Sequence, residues 1–108
     1  MWEEIKVKPL SVNAAWQGRR FKTKEYLVYE KEVYYKLPPL KLKNGLLGVY
    51  LEFGLSNQGG DWDNPIKPFV DILQKRYGFN DNRIQVAHIV KTKVGKGREY
   101  IRFNLYNL

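Results

Sequence analysis

Hydrophobic positions at steps of three and four along the chain predict two helices. The first covers residues 23–37 and ends before the Pro38-Pro39 pair, which cannot continue a helix. The second covers residues 64–77, with Asp63 or Asn64 as an expected N-terminal cap and Gly78 as its stop. The apolar stripes are Tyr26, Tyr29, Val33 and Leu37 in the first helix and Ile66, Phe69, Val70 and Leu73 in the second.

Alternating apolar and polar positions predict strands around these helices. We expect strands at residues 3–8, 48–55, 84–91 and 100–106, a loop at residues 10–22, and a hairpin turn at Lys93–Arg98. This order favours an α+β fold with a mixed or antiparallel β-sheet and two helices packed on one face. With 108 residues, the chain is long enough for one domain, which we place at residues 1–108.

Charge and composition narrow the class of partner. The formal net charge of +8 predicts a polyanionic partner, since neutralising phosphates releases counterions, although an ordinary basic domain would have the same charge. The absence of cysteine excludes disulfides, thiolate metal sites and a cysteine nucleophile. No apolar run approaches the roughly 20 residues of a membrane span, so we expect a cytoplasmic protein that does not act at a membrane.

All four aspartates fall within 21 residues of this basic chain, at Asp61, Asp63, Asp71 and Asp81. If residues 61–63 are extended, Asp61 and Asp63 point to one side and can share a divalent cation. Oxygen ligands without nearby His or Cys favour Mg²⁺, with Mn²⁺ as a substitute. Lys67, one helical turn after Asp63, is placed to contact a scissile phosphate. We expect the chain to return beside the helix N-terminus and bring Asp81 in as third carboxylate. The alternative is that each Asp serves a turn or a helix cap.

These motifs resemble the RusA family of Holliday junction resolvases, and the resemblance runs through nearly the whole chain. The matching segments are Lys8-Pro9-Leu10-Ser11-Val12-Asn13, Asp61-Trp62-Asp63-Asn64 with Lys67 and Asp71, Gly78-Phe79-Asn80-Asp81-Asn82-Arg83-Ile84, and Lys91 through Arg98. One position departs from the family pattern. Two adjacent acids are common in the second acidic motif, whereas here Asp81 stands alone between two asparagines.

The resemblance implies a RusA-like fold and a homodimer that nicks four-way DNA junctions symmetrically with Mg²⁺, in DNA recombination and repair. Asp61, Asp63 and Asp81 would be metal ligands, Lys67 the catalytic lysine and Asp71 a supporting residue. No small-molecule cofactor is implied. Proteins of this kind are often encoded by bacteria or their phages.

Other polar residues are candidates for supporting roles. Asn64 is a helix cap or a site residue, and Asn13 would anchor the N-terminal segment near the metal. Two basic runs are candidates for DNA phosphate contacts, with a solvated surface as the alternative. They are Arg19, Arg20, Lys22 and Lys24 in the first run, and Lys91, Lys93, Lys96 and Arg98 in the second.

Two other functions compete with the endonuclease. A catalytically inactive DNA-binding module would use the same basic surface, but it would gain nothing from carboxylates beside phosphates. An RNA-binding α+β domain would be expected to carry an aromatic strand signature that this sequence lacks.

Overall fold

The computed structural model describes residues 2–17, 21–57 and 62–108. The elements in chain order are β1 (Glu3–Ile5), α1 (Val12–Ala15), β2 (Trp16–Gln17), β3 (Phe21–Lys22), α2 (Lys24–Lys36), β4 (Leu47–Leu55), α3 (Ile66–Tyr77), a 3-10 turn (Asp81–Arg83), β5 (Ile84–Lys93) and β6 (Tyr100–Asn107). This is an α+β fold, as the sequence predicts.

The main sheet is mixed and has the strand order β1-β6-β4-β5. β4 pairs antiparallel with β6 on one side and parallel with β5 on the other. The parallel pair is possible because α3 carries the chain back to the starting end of β4 before β5 begins. The predicted hairpin at residues 93–98 is therefore wrong: β4 separates β5 from β6, and the connection crosses the end of β4, where the Val94 amide donates to the Leu55 carbonyl at 3.0 Å.

One face of this sheet packs against the helices, as predicted. Alternate residues of β4 and β6 point into the core because side chains alternate along a strand. The inward residues Val49, Leu51 and Phe53 of β4 are at most 2% exposed. Phe69 of α3 contacts Phe53 edge-on, with ring centroids 6.1 Å apart. The opposite face of the sheet lies away from this core.

The segment at residues 10–22 contains more structure than the predicted loop. Ser11 caps α1 by accepting a hydrogen bond from the Asn13 amide, and β2 and β3 pair antiparallel. The Thr23 side chain caps α2 through the Tyr26 amide and also donates to the Ala14 carbonyl at 2.7 Å. One threonine therefore starts α2 and holds α1 against it, a contact that no periodic pattern predicts.

Backbone hydrogen bonds and backbone conformation, not side-chain caps, set the two ends of α3. Its N-cap is Pro65 and no side chain caps it, so the predicted capping by Asp63 or Asn64 is wrong. The Asp63 carbonyl instead accepts from the Ile66 amide at 3.1 Å. Pro68 is tolerated because it lies in the first turn, where its missing N–H has no partner within the helix. Gly78 ends the helix with φ of 68°, which a glycine adopts at little cost.

Candidate active site on helix α3

A cleft of about 370 Å³ lies between α3 and the helix-facing side of β4 and β5. We call it the Asp81 cleft. Its lining residues are Val49, Leu51, Ile66, Lys67, Val70, Asp71, Asp81, Ile84, Ala87 and Ile89. Three candidates from the sequence, Lys67, Asp71 and Asp81, therefore share one cleft. The remaining lining residues are apolar, whereas Lys67 and Asp81 are exposed, so their charges are screened by solvent.

Lys67 and Asp71 meet on one face of α3 because they are four residues apart. The Lys67 Nζ lies 3.3 Å from Asp71 Oδ2. The lysine side chain is 63% exposed and the aspartate side chain 27% exposed. Lysine N-terminal to the acid is the less favourable order for such a pair. The contact is therefore weak, and the ammonium group stays largely accessible to solvent.

Gln74 connects Asp71 to Asp81 and is not among the site residues predicted from the sequence. Its Nε2 donates to Asp71 Oδ1 at 3.3 Å, and its Oε1 accepts from the Asp81 backbone amide at 2.8 Å. Lys67, Asp71 and Gln74 form one stripe of α3 at steps of four and three residues. That spacing could have placed Gln74 on the same face, but its contact with Asp81 depends on the loop that follows α3.

The Asp81 backbone does not lie beside the start of α3, so the predicted position of the third carboxylate is wrong, although Asp81 lines the same cleft as Lys67 of the first turn. Because β5 runs parallel to β4, the chain enters it near the C-terminal end of α3. The Asp81 amide meets Gln74, which lies eight residues after Ile66 and therefore about 12 Å further along the helix axis. Asp63 precedes Ile66 and so lies at the opposite end of α3.

The premise of an extended segment before α3 also fails over the described residues. Residues 62–65 form a turn, and Asp63 is exposed. Asp61 lies outside the described residues. Within residues 2–17, 21–57 and 62–108, no three acidic or histidine side chains are grouped to hold a metal ion. Participation of Asp61 and Asp63 in a metal site stays a prediction.

The N-terminal segment at residues 8–13, which belongs to the resemblance, contacts the turn that precedes α3. The Val12 amide donates to the Asn64 carbonyl at 2.8 Å. Two segments that are about fifty residues apart in sequence, and that both belong to the resemblance, are thereby joined. The Asn13 side chain itself is exposed, and the bond uses the Asn64 backbone, so the structure brings the segments together without assigning either amide side chain a ligand role.

A second groove, of about 200 Å³, lies near the end of β4 and the turn before α3. We call it the Lys91 groove. Its lining residues are Lys8, Pro9, Leu10, Ser11, Ala14, Glu25, Leu55, Ser56, Asn57, Asn64, Pro65, Lys91 and Glu99. Glu99, which is also not among the residues predicted from the sequence, accepts from Ser56 Oγ at 2.5 Å and from the Gly97 amide at 2.9 Å. The hydrogen bond from Ser56 is the main reason that the pKa of Glu99 is lowered.

The predicted DNA-binding residues fall into different environments. Lys91 and Lys93 pair with Phe53 and Leu55, so both project from the helix-facing side of β5. Lys96 and Arg98 are exposed in the connection to β6, and Lys24 is exposed at the start of α2. Lys22 is instead held by Glu30, with Nζ 2.9 Å from Oε2. Arg19 and Arg20 lie outside the described residues.

The oxygen donors that line the Asp81 cleft are the carboxylates of Asp71 and Asp81. Carboxylates are ligands of hard divalent cations, and Mg²⁺ is commonly bound by one or two of them together with several waters. The chain has no cysteine, and its single histidine, His88, pairs with Tyr50 on the opposite face of the sheet. These residues suit Mg²⁺ or Mn²⁺ better than zinc.

Comparison with protein-family models finds no match to this chain, and a search of curated proteins finds no significant similarity. No helix in the described part of the chain is long and apolar enough to cross a membrane.

Proposed function

We propose that this protein is a magnesium-dependent endodeoxyribonuclease that cuts branched DNA, of the RusA-like Holliday junction resolvase type. The observation that carries the proposal is the Asp81 cleft, where Lys67, Asp71 and Asp81 line one opening in a protein of net charge +8. The bond from the Val12 amide to the Asn64 carbonyl adds support, because it joins two segments of the resemblance in space.

Each residue of the cleft has a role that its position supports. Asp71 and Asp81 would hold Mg²⁺, which when bound acts as a Lewis acid and supplies a water of lowered pKa. Lys67 binds the scissile phosphate through an ammonium group that its weak pairing with Asp71 leaves available.

The basic residues near the cleft would hold the DNA backbone. Lys91 and Lys93 lie further along the strand that begins just after Asp81 and lead from the Asp81 cleft towards the Lys91 groove. Lys8 lines the same groove. A strand of DNA following this side of the molecule would pass these lysines as it leaves the cleft. A homodimer would present two such tracks, as symmetric nicking of a four-way junction requires.

A DNA-binding module without cleavage is the second candidate. It is favoured by the separation of Asp63 from Asp81 along α3, and by the engagement of Asp71 with Lys67 and Gln74. Under this alternative the acids of α3 only stabilise the helix and its following loop, while the lysines bind phosphates.

Cleavage of an end-labelled four-way junction tests the proposal. The wild-type protein should make paired, symmetric nicks in Mg²⁺ and none in EDTA. Asp81→Asn should lower the cleavage rate about 10²–10³-fold, as expected for loss of a charged transition-state contact. Glu32→Gln, which removes an exposed acid of α2, is the matched control and should cleave normally.

Asp63→Asn separates the two possible locations of the metal. A large loss in Asp63→Asn with normal cleavage by Asp81→Asn would move the metal to the start of α3. Tight junction binding with no cleavage by the wild-type protein in either Mg²⁺ or Mn²⁺ would overturn the endonuclease and favour the binding module.

A further inference from the structure

The Lys91 groove contains a hydrogen-bond acceptor that is charged and held in place. Glu99 comes just before β6, and its carboxylate accepts from Ser56 Oγ at 2.5 Å and from the Gly97 amide at 2.9 Å. Ser56 follows the last residue of β4, so these bonds fix the carboxylate to two different segments of the chain. The hydrogen bond from Ser56 lowers the pKa of Glu99, and the group is therefore ionised at neutral pH.

The Glu99 carboxylate keeps room for a further donor. A carboxylate has about four acceptor positions. The Ser56 hydroxyl, the Gly97 amide and its own backbone amide are the hydrogen-bond donors that contact it. All three donors are neutral, so the carboxylate retains its negative charge and at least one acceptor position for an N–H group of a ligand.

The groove has apolar walls and a small volume. Pro9, Leu10, Ala14, Leu55 and Pro65 line it. Its volume of about 200 Å³ is below the roughly 300–1,000 Å³ of sites for drug-sized ligands, so it suits one small planar group. A nucleobase is such a group, because proteins that take up an unpaired base pack its faces against apolar side chains and form hydrogen bonds with its edge.

The charged residues of the groove favour a nucleotide over a cationic ligand. Lys8 and Lys91 both line the groove and are exposed, as is usual for lysines that contact phosphates. Glu25 also lines it, but it lies in the exposed first turn of α2, whereas Glu99 is only partly exposed. Glu99 is therefore the acid placed to meet the edge of a base while the lysines hold the backbone.

We propose that the Lys91 groove is a subsite for one unpaired base of the DNA and that Glu99 selects bases that carry an exocyclic amino group. This inference rests on the proposed function for its ligand, DNA, which the binding-module alternative shares. Acidic side chains accept a hydrogen bond from the amino group of cytosine. Thymine has a carbonyl oxygen at the same position, which the carboxylate repels.

Binding of single-stranded oligonucleotides tests the subsite without cleavage. Labelled oligo(dC) and oligo(dT) of equal length differ in that amino group and are compared by fluorescence anisotropy in EDTA. The wild-type protein should bind oligo(dC) about tenfold more tightly, within the range for one base-reading contact. This comparison changes the ligand alone, so it does not depend on the folding of any variant.

Three variants then assign the preference to Glu99. Glu99→Gln keeps the shape of the side chain, but its amide can donate to thymine as well as accept from cytosine, so the two affinities should converge. Ser56→Ala removes the bond that fixes the carboxylate and leaves its charge, and it should give an intermediate preference. Glu32→Gln, which removes an exposed acid of α2, is the matched control and should keep the full preference. Circular dichroism shows that each variant is folded.

The possible failures are distinguishable. Equal binding of both oligonucleotides by the wild-type protein would overturn the base subsite, while junction cleavage would still decide the endonuclease. A full preference for oligo(dC) in folded Glu99→Gln would overturn the role of Glu99. A preference that is lost in Glu99→Gln, in a protein that cuts no junction, would support the subsite and overturn the endonuclease. If the wild-type protein binds neither oligonucleotide nor a four-way junction, the proposed function and this inference both fail.

Discussion

Replacement of Lys67 by glutamine should greatly lower the cleavage rate while changing the stability of the fold only slightly. The ion pair with Asp71 is largely exposed on the lysine side and has the less favourable order for a helix, so its loss should cost only about 0.3 kcal/mol of unfolding free energy. For a domain of this size that corresponds to a fall in Tm of roughly 1–2 °C. If Lys67 contacts the scissile phosphate, the same change should lower the cleavage rate about 10²–10³-fold.

Lys36→Gln is the matched control, because Lys36 also forms an ion pair one turn away on its helix. Its Nζ lies 2.8 Å from Glu32 Oε2 in the favourable order, and it also donates to the Lys6 carbonyl at 2.8 Å. Loss of both contacts should cost about 1 kcal/mol, or roughly 4 °C in Tm. This variant should nevertheless cleave at the wild-type rate, since Lys36 does not line the Asp81 cleft.

Lys67→Gln should therefore be the more stable of the two lysine variants and the less active in cleavage. Thermal unfolding followed by circular dichroism gives the order of stability, and single-turnover junction cleavage at saturating Mg²⁺ gives the order of activity. The reasoning is refuted if Lys67→Gln cleaves within threefold of the wild-type rate, or if its Tm falls further than that of Lys36→Gln.

Three further predictions concern the sheet, acid stability and DNA binding. Gly54→Ala should destabilise the protein by about 1–3 kcal/mol in denaturant titrations, because a Cβ there would overlap the Tyr100 ring. The lowered pKa of Glu99 means that its ionised form stabilises the fold above the ordinary pKa of 4.5 and that this contribution is lost as the pH falls through the lowered value. Glu99→Gln should therefore reduce the stability at neutral pH and flatten its fall in acid, as measured by unfolding at a series of pH values. Lys91→Gln should reduce the salt dependence of junction binding by about 0.9 in the log–log slope, whereas Lys22→Gln should leave that slope unchanged because Lys22 is already paired.

Each of these predictions has an outcome that contradicts it. Gly95→Ala meets nothing within 4 Å and should be neutral, so an equal loss in both glycine variants would refute the steric argument. Parallel pH profiles for Glu99→Gln and the wild type would show that the Ser56 hydrogen bond does not bias the ionisation of Glu99. Equal changes in slope for the Lys22 and Lys91 variants would show that the ion pair with Glu30 does not remove Lys22 from the DNA surface.

Periodicity alone predicted the long elements with small errors at their ends. The helix expected at residues 23–37 is α2, Lys24–Lys36, and the strand expected at residues 48–55 is β4, Leu47–Leu55. Each of these elements buries one stripe or one face, so the spacing of its apolar residues indicates which side packs against the core. The α+β class and the placement of the helices on one face of the sheet were predicted from the same spacing.

The errors concern contacts between segments that are distant in sequence. A turn-rich sequence at residues 93–98 favours a hairpin by local chemistry, but pairing with β4 satisfies the backbone of both β5 and β6 and separates them. The short helix α1 is stabilised by hydrogen bonds to Asn64 and from Thr23, and neither is visible in its own four residues.

The candidate site also combines features that local sequence predicts with features that depend on contacts between distant segments. The sequence by itself determined that a basic chain carries four clustered aspartates, and helical spacing set Lys67, Asp71 and Gln74 on one face of α3. Only the tertiary structure decided which acids share a cleft, because the parallel pairing of β5 with β4 returns the chain to the far end of α3. Strand order depends on the total burial and hydrogen bonding of the sheet, which no local segment encodes. For that reason Asp81 meets Gln74 and not the turn that contains Asp63.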